Sequence, residues 1–316
     1  MAWMELSFDM THEAVDWVRT LLSKTPYITH LSITDYSPAA AEPAQNWAFT
    51  AYLYLPHETY SRSQVEEIYD RLSPLRRTGL ISDLQTEVVD QKLDGGEGSH
   101  SIHRVARRLV ILPAEGRYQP ATIDEIPIRL DQTLSFGSGF HPATICCLKL
   151  LERYIQPGMQ TLDLGCGSGI LSIAMAKLGA TVLALDNDRS CIEATQSAVD
   201  LNRVAEQVTV KQGSLGQGSE LGHWMNLEKI PAVPRIEAGG TFDLIAANIL
   251  ARIHIALAGD YRSALRRNAT QSGLLVIAGF TTDYEAEVNS ALTEAGFAVA
   301  DCDRLDEWVA LTYRAV

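Results

Sequence analysis

The chain has 316 residues, 46% hydrophobic and 21% charged, ordinary globular usage with enough apolar material for about two domains. Its 26 Lys and Arg stand against 39 Asp and Glu, a formal net charge of −13. That balance argues against a general nucleic-acid or anionic-membrane binder, which needs a basic footprint to displace counterions, and it is compatible with a cationic partner. Five cysteines, at 146, 147, 166, 191 and 302, are odd in number and form no C-x-x-C pair. They fit neither a disulfide scaffold nor a zinc site, and no metal is expected. The first residues show no basic segment leading into an apolar run, and no stretch approaches about 20 apolar residues; the expectation is a cytoplasmic protein without a membrane span.

In chain order, residues 3–8 read as a strand and Thr11 as an N-cap. Ala14, Val15, Trp17, Val18, Leu21 and Leu22 then recur at helical spacing. Residues 28–36 and 47–55 are β-like, separated by the Pro/Ala-rich 37–45. A helical pattern starts near Ser61 or Ser63 and runs through Val65, Ile68, Tyr69 and Leu72, and 84–89 closes a sheet. The order β-α-β-β-α-β is the split unit of a ferredoxin-like α+β domain, expected over 1–93. Residues 94–101 are rich in glycine and serine and read as a flexible linker; with short strands at 108–112 and 126–130 they make 94–130 a connecting segment.

From 131 to 316 the pattern changes. Helices are predicted at 145–154, 170–178, 190–201, 253–265 and 283–295. Apolar strands alternate with them at 161–164, 181–185, 208–211, 243–247 and 274–278. That alternation predicts an α/β domain, a doubly wound, mostly parallel Rossmann-like sheet with helices on both faces. The Gly/Pro-rich stretch 215–240 lacks periodicity and reads as a long loop or disordered insertion.

The strongest chemical signal is Asp163-Leu164-Gly165-Cys166-Gly167-Ser168-Gly169, between an apolar strand and a helix. Glycines there permit a tight turn and close backbone approach, and the helix N-terminus offers free N–H groups. A dinucleotide fingerprint places its third glycine three residues after the second; here that position is Ile170, and the third glycine arrives one residue early. Asp186 ends the next strand, 21 residues beyond Gly165, where a ribose-diol acceptor sits in nucleotide-binding α/β folds. Ser214, at the end of the following strand, is a candidate for the adenine edge. Read without a ligand, the same residues are a tight turn and a polar loop. The glycine spacing, with an acid two residues ahead, resembles motif I of class I S-adenosylmethionine-dependent methyltransferases.

Asn248 follows the apolar strand 243–247, where doubly wound folds bind ligands. Its backbone or side-chain oxygen suits the orientation of an amine whose lone pair must face a methyl carbon; alternatively it only ends the strand by turn chemistry. Upstream, Phe136-Gly137-Ser138-Gly139-x-His141-Pro142-x-Thr144 carries more hydroxyls, glycines and rings than a linker requires. Taken in order, that segment, 163–169 and Asn248-Ile249-Leu250-Ala251 resemble the signature of the ribosomal protein L11 methyltransferase family, densely over 108–280.

The resemblance implies methylation of the α-amino group and lysine side chains of ribosomal protein L11, with S-adenosylmethionine as donor. It implies that the N-terminal half recognises the substrate; the acidic balance noted above leaves direct nucleic-acid binding unexpected. It implies further that Phe136, Ser138, His141 and Thr144 border the cofactor and acceptor amine, while Asn248 and Leu250 hold that amine. His141 can equally serve by hydrogen-bonding the backbone and fixing its loop. The chain departs from the family pattern at Ser138, Ala143 and Gln132-Thr133, and it lacks tryptophans around 91–105 and after Pro113, which bears on substrate choice. The same residues also suit an enzyme of like chemistry acting on another protein or small amine, or a non-catalytic cofactor-binding scaffold. A nicotinamide oxidoreductase is disfavoured by the glycine spacing.

Overall fold

The computed structural model describes residues 3–22, 25, 31–37, 47–56, 62–89, 103–114, 118–130, 139–216, 233–236, 239–266 and 272–316. They fall into two compact units. One comprises Met1–His103, Leu112–Gln119 and Asp131–His141; the other comprises Arg104–Ile111, Pro120–Leu130 and Pro142–Val316.

The first unit contains β1 (Trp3–Met10), α1 (Ala14–Leu22), β2 (Leu31–Asp35), β3 (Phe49–Pro56), α2 (Arg62–Arg77) and β4 (Gln85–Val89). Its sheet order is β2-β3-β1-β4 with every neighbouring pair antiparallel, the topology of the split β-α-β pair. Alternate residues of β1 point one way: Leu6, Phe8 and Met10 join Val15, Val18, Phe49, Leu53, Ile68 and Leu72 in one core. Thr11 acts as expected at the entry to α1, its hydroxyl accepting from the Ala14 amide at 3.3 Å. Phe140 belongs to this core, edge-on to Phe49 and stacked with His103. Three short strands follow, β5 (His103–Arg104), β6 (Leu109–Pro113) and β7 (Ile126–Leu130), in the order β5-β6-β7. The expected linker at 94–101 lies outside the described residues.

The second unit is built on seven strands. In chain order its elements are α3 (Pro142–Tyr154), β8 (Gln160–Leu164), α4 (Ile170–Lys177), β9 (Thr181–Asp186), α5 (Arg189–Asn202), β10 (Val208–Gln212), β11 (Ser214–Leu215) and β12 (Arg235–Ile236). Then come β13 (Leu244–Asn248), α6 (Ala251–Ala256), α7 (Ala258–Ala264), β14 (Leu274–Thr281), α8 (Glu285–Glu294), β15 (Phe297–Leu305) and β16 (Trp308–Ala315). The sheet runs β10-β9-β8-β13-β14-β16-β15. Pairs from β10 to β14 are parallel, and β16 is antiparallel to both its neighbours.

Side chains of the central strands divide between two cores. Leu244, Ala246, Val276 and Ala278 face one, with Leu148, Ile173 and Val199 of α3, α4 and α5; Ile245, Ala247, Leu275 and Ile277 face the other, with Tyr261 and Val288 of α7 and α8. The sheet is therefore covered on both sides, as a doubly wound fold requires. Fully burying each Val, Leu or Ile among them stabilises the fold by about 1.5–3 kcal/mol, and each Ala by less.

Several boundaries differ from expectation. Helix α3 starts three residues before position 145, because Pro142 suits a first helical turn. The single helix expected over 253–265 is two, divided at Leu257, whose ψ of 4° departs from helical geometry. Asn248 is the last residue of its strand, paired with Ala278, rather than the residue after it. Ser214 begins the separate strand β11, which pairs in parallel with β12, so it is not the terminus of β10. Most of the stretch 215–240 lies outside the described residues. The β15–β16 hairpin was not anticipated at all.

Candidate active site

The candidate site forms within the second unit at the carboxyl ends of β8, β9 and β13, where parallel α/β sheets place ligands. The glycine loop leaves β8 and is tied to the end of β9: the Gly165 and Cys166 amides both donate to the Leu185 carbonyl, at 2.8 and 3.0 Å. Gly165, Gly167 and Gly169 have φ of 77°, 52° and 81°, values that L side chains adopt at a cost. At Gly165 space forbids a side chain too, since a Cβ would lie 2.5 Å from Ile249 Cγ2. Gly167 is the opposite case: a Cβ there would meet nothing within 4 Å, so the loop presents open backbone. Gly169 caps α4 without a side-chain hydrogen bond of its own, while the Ser172 amide in the first turn of that helix bears on the Asp163 carboxyl.

Asp186 closes the loop from β9. Its Oδ2 accepts from the Gly167 amide at 3.0 Å and its Oδ1 from the Asp188 amide at 2.9 Å. Burial raises its carboxyl above the ordinary range while these amides pull it back. The Asn187 amide and the Cys191 thiol bear on the same carboxylate, so a diol would share its lone-pair sites with these groups. Asp163 is wholly buried, and burial pushes it up to about 7 despite hydrogen bonding to Ser172, whose hydroxyl donates to Oδ2 at 2.5 Å. Asp163 Oδ1 and the buried Ser214 Oγ have no partner among the described residues.

These observations test the fit of a nucleoside sulfonium. The turn into α4, an open Gly167 backbone, a doubly anchored carboxylate and two orphaned buried oxygens provide complementary groups at neighbouring strand ends. The fit is good.

The acceptor side is assembled by a contact across 104 residues: Asn248 Nδ2 donates to Thr144 Oγ1 at 3.0 Å. Thr144 is buried in the first turn of α3, and Asn248 is partly exposed at the end of β13. This pairing leaves Asn248 Oδ1 available as an acceptor, and Leu250 stands 36% exposed two residues later. His141 closes the first unit, and burial drives its imidazole down to about 4. Phe136 and Ser138 lie outside the described residues. Among the described residues no cluster of His, Cys, Asp or Glu suits a metal ion.

Two contributors carried no sequence signal. Thr195, in the middle of α5, donates from Oγ1 to the Gly167 carbonyl at 3.0 Å and lies 3.2 Å from Cys166 Sγ, while its side chain packs where a Gly169 Cβ would stand. Gly279 of β14 is so close to the turn after Asn248 that a Cβ would fall 2.4 Å from the Ile249 carbonyl oxygen. Both shape the loops without bearing recognisable chemistry.

A doubly wound sheet with one antiparallel strand, a glycine loop spaced against dinucleotides and an acid at the end of the next strand define a class I S-adenosylmethionine-dependent methyltransferase. Comparison with known proteins agrees. The profile described as "Ribosomal protein L11 methyltransferase (PrmA)" matches residues 2–315. The ribosomal protein L11 methyltransferase of Chloroflexus aurantiacus is 35% identical over 99% of this chain and 98% of its own, and that of Herpetosiphon aurantiacus 32% over 99% of both. A crystal structure of the ribosomal protein L11 methylase from Lactobacillus delbrueckii subsp. bulgaricus covers 68% of this chain and 99% of its own, with TM-score 0.55 and 30% identity. The chain belongs to the ribosomal protein L11 methyltransferase family, whose methyl donor is S-adenosylmethionine.

Proposed function

We propose that the chain methylates ribosomal protein L11, on lysine side chains and the α-amino group, in the cytoplasm. The observation that carries this reading is the hydrogen bond between Asn248 and Thr144, which joins two distant polar residues beside the glycine loop. In this reading Asp163, Gly165, Gly167, Gly169, Asp186 and Ser214 hold the cofactor, and Asn248, Thr144 and Leu250 receive the amine. Phe136, Ser138 and His141 complete the border in keeping with the family signature. In this reading residues 1–93 serve substrate recognition, 94–130 connect, and 131–316 carry catalysis.

S-adenosylmethionine, when bound, supplies an electrophilic methyl on a cationic sulfur. The protein's task is to present a neutral amine, since an ammonium has no lone pair to form the new nitrogen–carbon bond as the carbon–sulfur bond breaks. The exposed Leu250 provides an apolar wall that disfavours the charged form, and Asn248 Oδ1 accepts one remaining N–H, aiming the lone pair. Positioning of this kind supplies the rate without a covalent intermediate. Burial holds the His141 imidazole below its ordinary range, in keeping with a loop-fixing role rather than proton abstraction. The five cysteines are free thiols, and no described helix is long and apolar enough to cross a membrane.

The test is mass spectrometry of L11 from cells with and without this protein, alongside transfer of labelled methyl to purified L11. Methylation that depends on the protein in both settings supports the reading. L11 equally methylated without it, or label passing in a lysate to another protein while purified L11 stays unlabelled, rejects it.

A further inference from the structure

Beyond the residues that border the acceptor, one buried side chain holds the acceptor turn in place. The strand β14 is bulged: its register against β16 slips between Ile277 and Phe280, and Gly279 in the bulge has φ 96°. Bulges of this kind re-aim backbone groups beside functional sites. Here the Ala278 carbonyl receives two donors, the Ile249 amide at 3.0 Å and His254 Nε2 at 2.9 Å. His254 is completely buried in α6. Its other nitrogen, Nδ1, is 3.1 Å from the hydroxyl of the equally buried Tyr261 in α7. With Nε2 donating to a carbonyl, Nδ1 is the acceptor and Tyr261 the donor. Phe280 lies edge-on to the imidazole at 5.6 Å between centroids.

The turn Asn248-Ile249-Leu250 is thus gripped from three sides. Gly165 admits the Ile249 side chain, Gly279 admits its backbone, and the His254–Ala278 bond fixes the carbonyl to which Ile249 donates. We propose that His254 is a positioning residue for methyl transfer: through Ala278 and Ile249 it fixes the aim of Asn248 on the acceptor amine. The inference rests on the acceptor-site reading above and adds a residue that touches neither cofactor nor substrate.

Two amide variants separate the imidazole's two bonds. The His254→Gln side chain reaches the position of Nε2 and can still donate to Ala278, whereas His254→Asn reaches only the position of Nδ1. Turnover of L11 methylation and S-adenosylmethionine affinity by calorimetry are measured for both, with Asn248→Ala and Asn248→Ala/His254→Asn beside them. The proposal expects His254→Asn to lose at least about tenfold in kcat, about 1.4 kcal/mol of transition-state stabilisation, with cofactor Kd unchanged within about twofold. His254→Gln restores most of that loss, and the double variant is no slower than Asn248→Ala alone, because both changes act on one group.

Normal kcat in a folded His254→Asn protein overturns the proposal, as do additive losses in the double variant. A merely structural role would lower thermal stability and leave kcat of the folded protein unmoved. Should His254→Asn not fold, His254→Leu fills the same apolar site without a donor and carries the same expectations. If Asn248→Ala keeps full turnover, the acceptor-site reading fails and this inference with it; if only Asn248→Ala loses turnover, the positioning role alone is rejected.

Discussion

Asp186 holds the glycine loop with the same two oxygens that are offered to a ligand, accepting from Gly167 and Asp188. Removing its carboxyl therefore takes away the diol acceptor and lets the loop drift. Since hydrogen bonds to charged groups contribute about 1.5–3 kcal/mol each, Asp186→Ala is expected to weaken S-adenosylmethionine binding by about a hundredfold, read by calorimetry. Unchanged affinity would move the sugar site elsewhere. Asp163 invites a pH experiment. Its folded-state carboxyl sits near 7 against an ordinary 3.8, so its contribution to stability is fully present below the unfolded value and is lost as pH rises through about 7. At about 1.4 kcal/mol per unit, Asp163→Asn should remove a few kcal/mol of pH dependence between those limits. Urea unfolding of both proteins from pH 4 to 8 checks this; parallel curves would contradict it.

At the scale of elements, the central strands and the glycine loop were legible because each carries a local pattern: a short apolar run, a three-glycine spacing, an acid at the next strand end. What escaped was set by partners distant in sequence. The β15 strand reads as polar, with Asp301, Asp303 and Arg304, because it is the edge of the sheet and its acids engage α3. Arg153 pairs with Asp301 at 3.2 Å and also with Asp303, and Lys149 pairs with Asp303 at 3.4 Å. Thr195 and His254 are single polar residues within helices, which in a sequence look like core or surface. Only the fold reveals that one clamps Gly167 and the other the turn after Asn248. Thr195→Val keeps the shape and deletes the hydroxyl, leaving the Gly167 carbonyl without its donor. It should cost about 1–3 kcal/mol of stability and weaken cofactor affinity severalfold, measured by thermal unfolding and calorimetry. A variant as stable as the parent would show that the clamp is idle.

For the whole molecule, a formal charge of −13 acts over distances that salt can screen, about 10 Å at 0.1 M ionic strength. A lysine-bearing acceptor is steered by that field. Its KM should therefore rise severalfold between low and physiological salt, while kcat at saturation changes little. An acceptor KM indifferent to salt would show that recognition rests on contacts alone. The distribution of sulfur has a practical corollary. Cys146, Cys147 and Cys166 are buried, burial pushes the Cys146 and Cys191 thiols up to about 12, and Cys302 alone is exposed, on the outermost strand. Thiolate-seeking reagents should thus tag one location on the native protein, remote from the strands that bear the glycine loop. A fluorophore or spin label attached there would leave the glycine loop untouched and need no engineering of the chain.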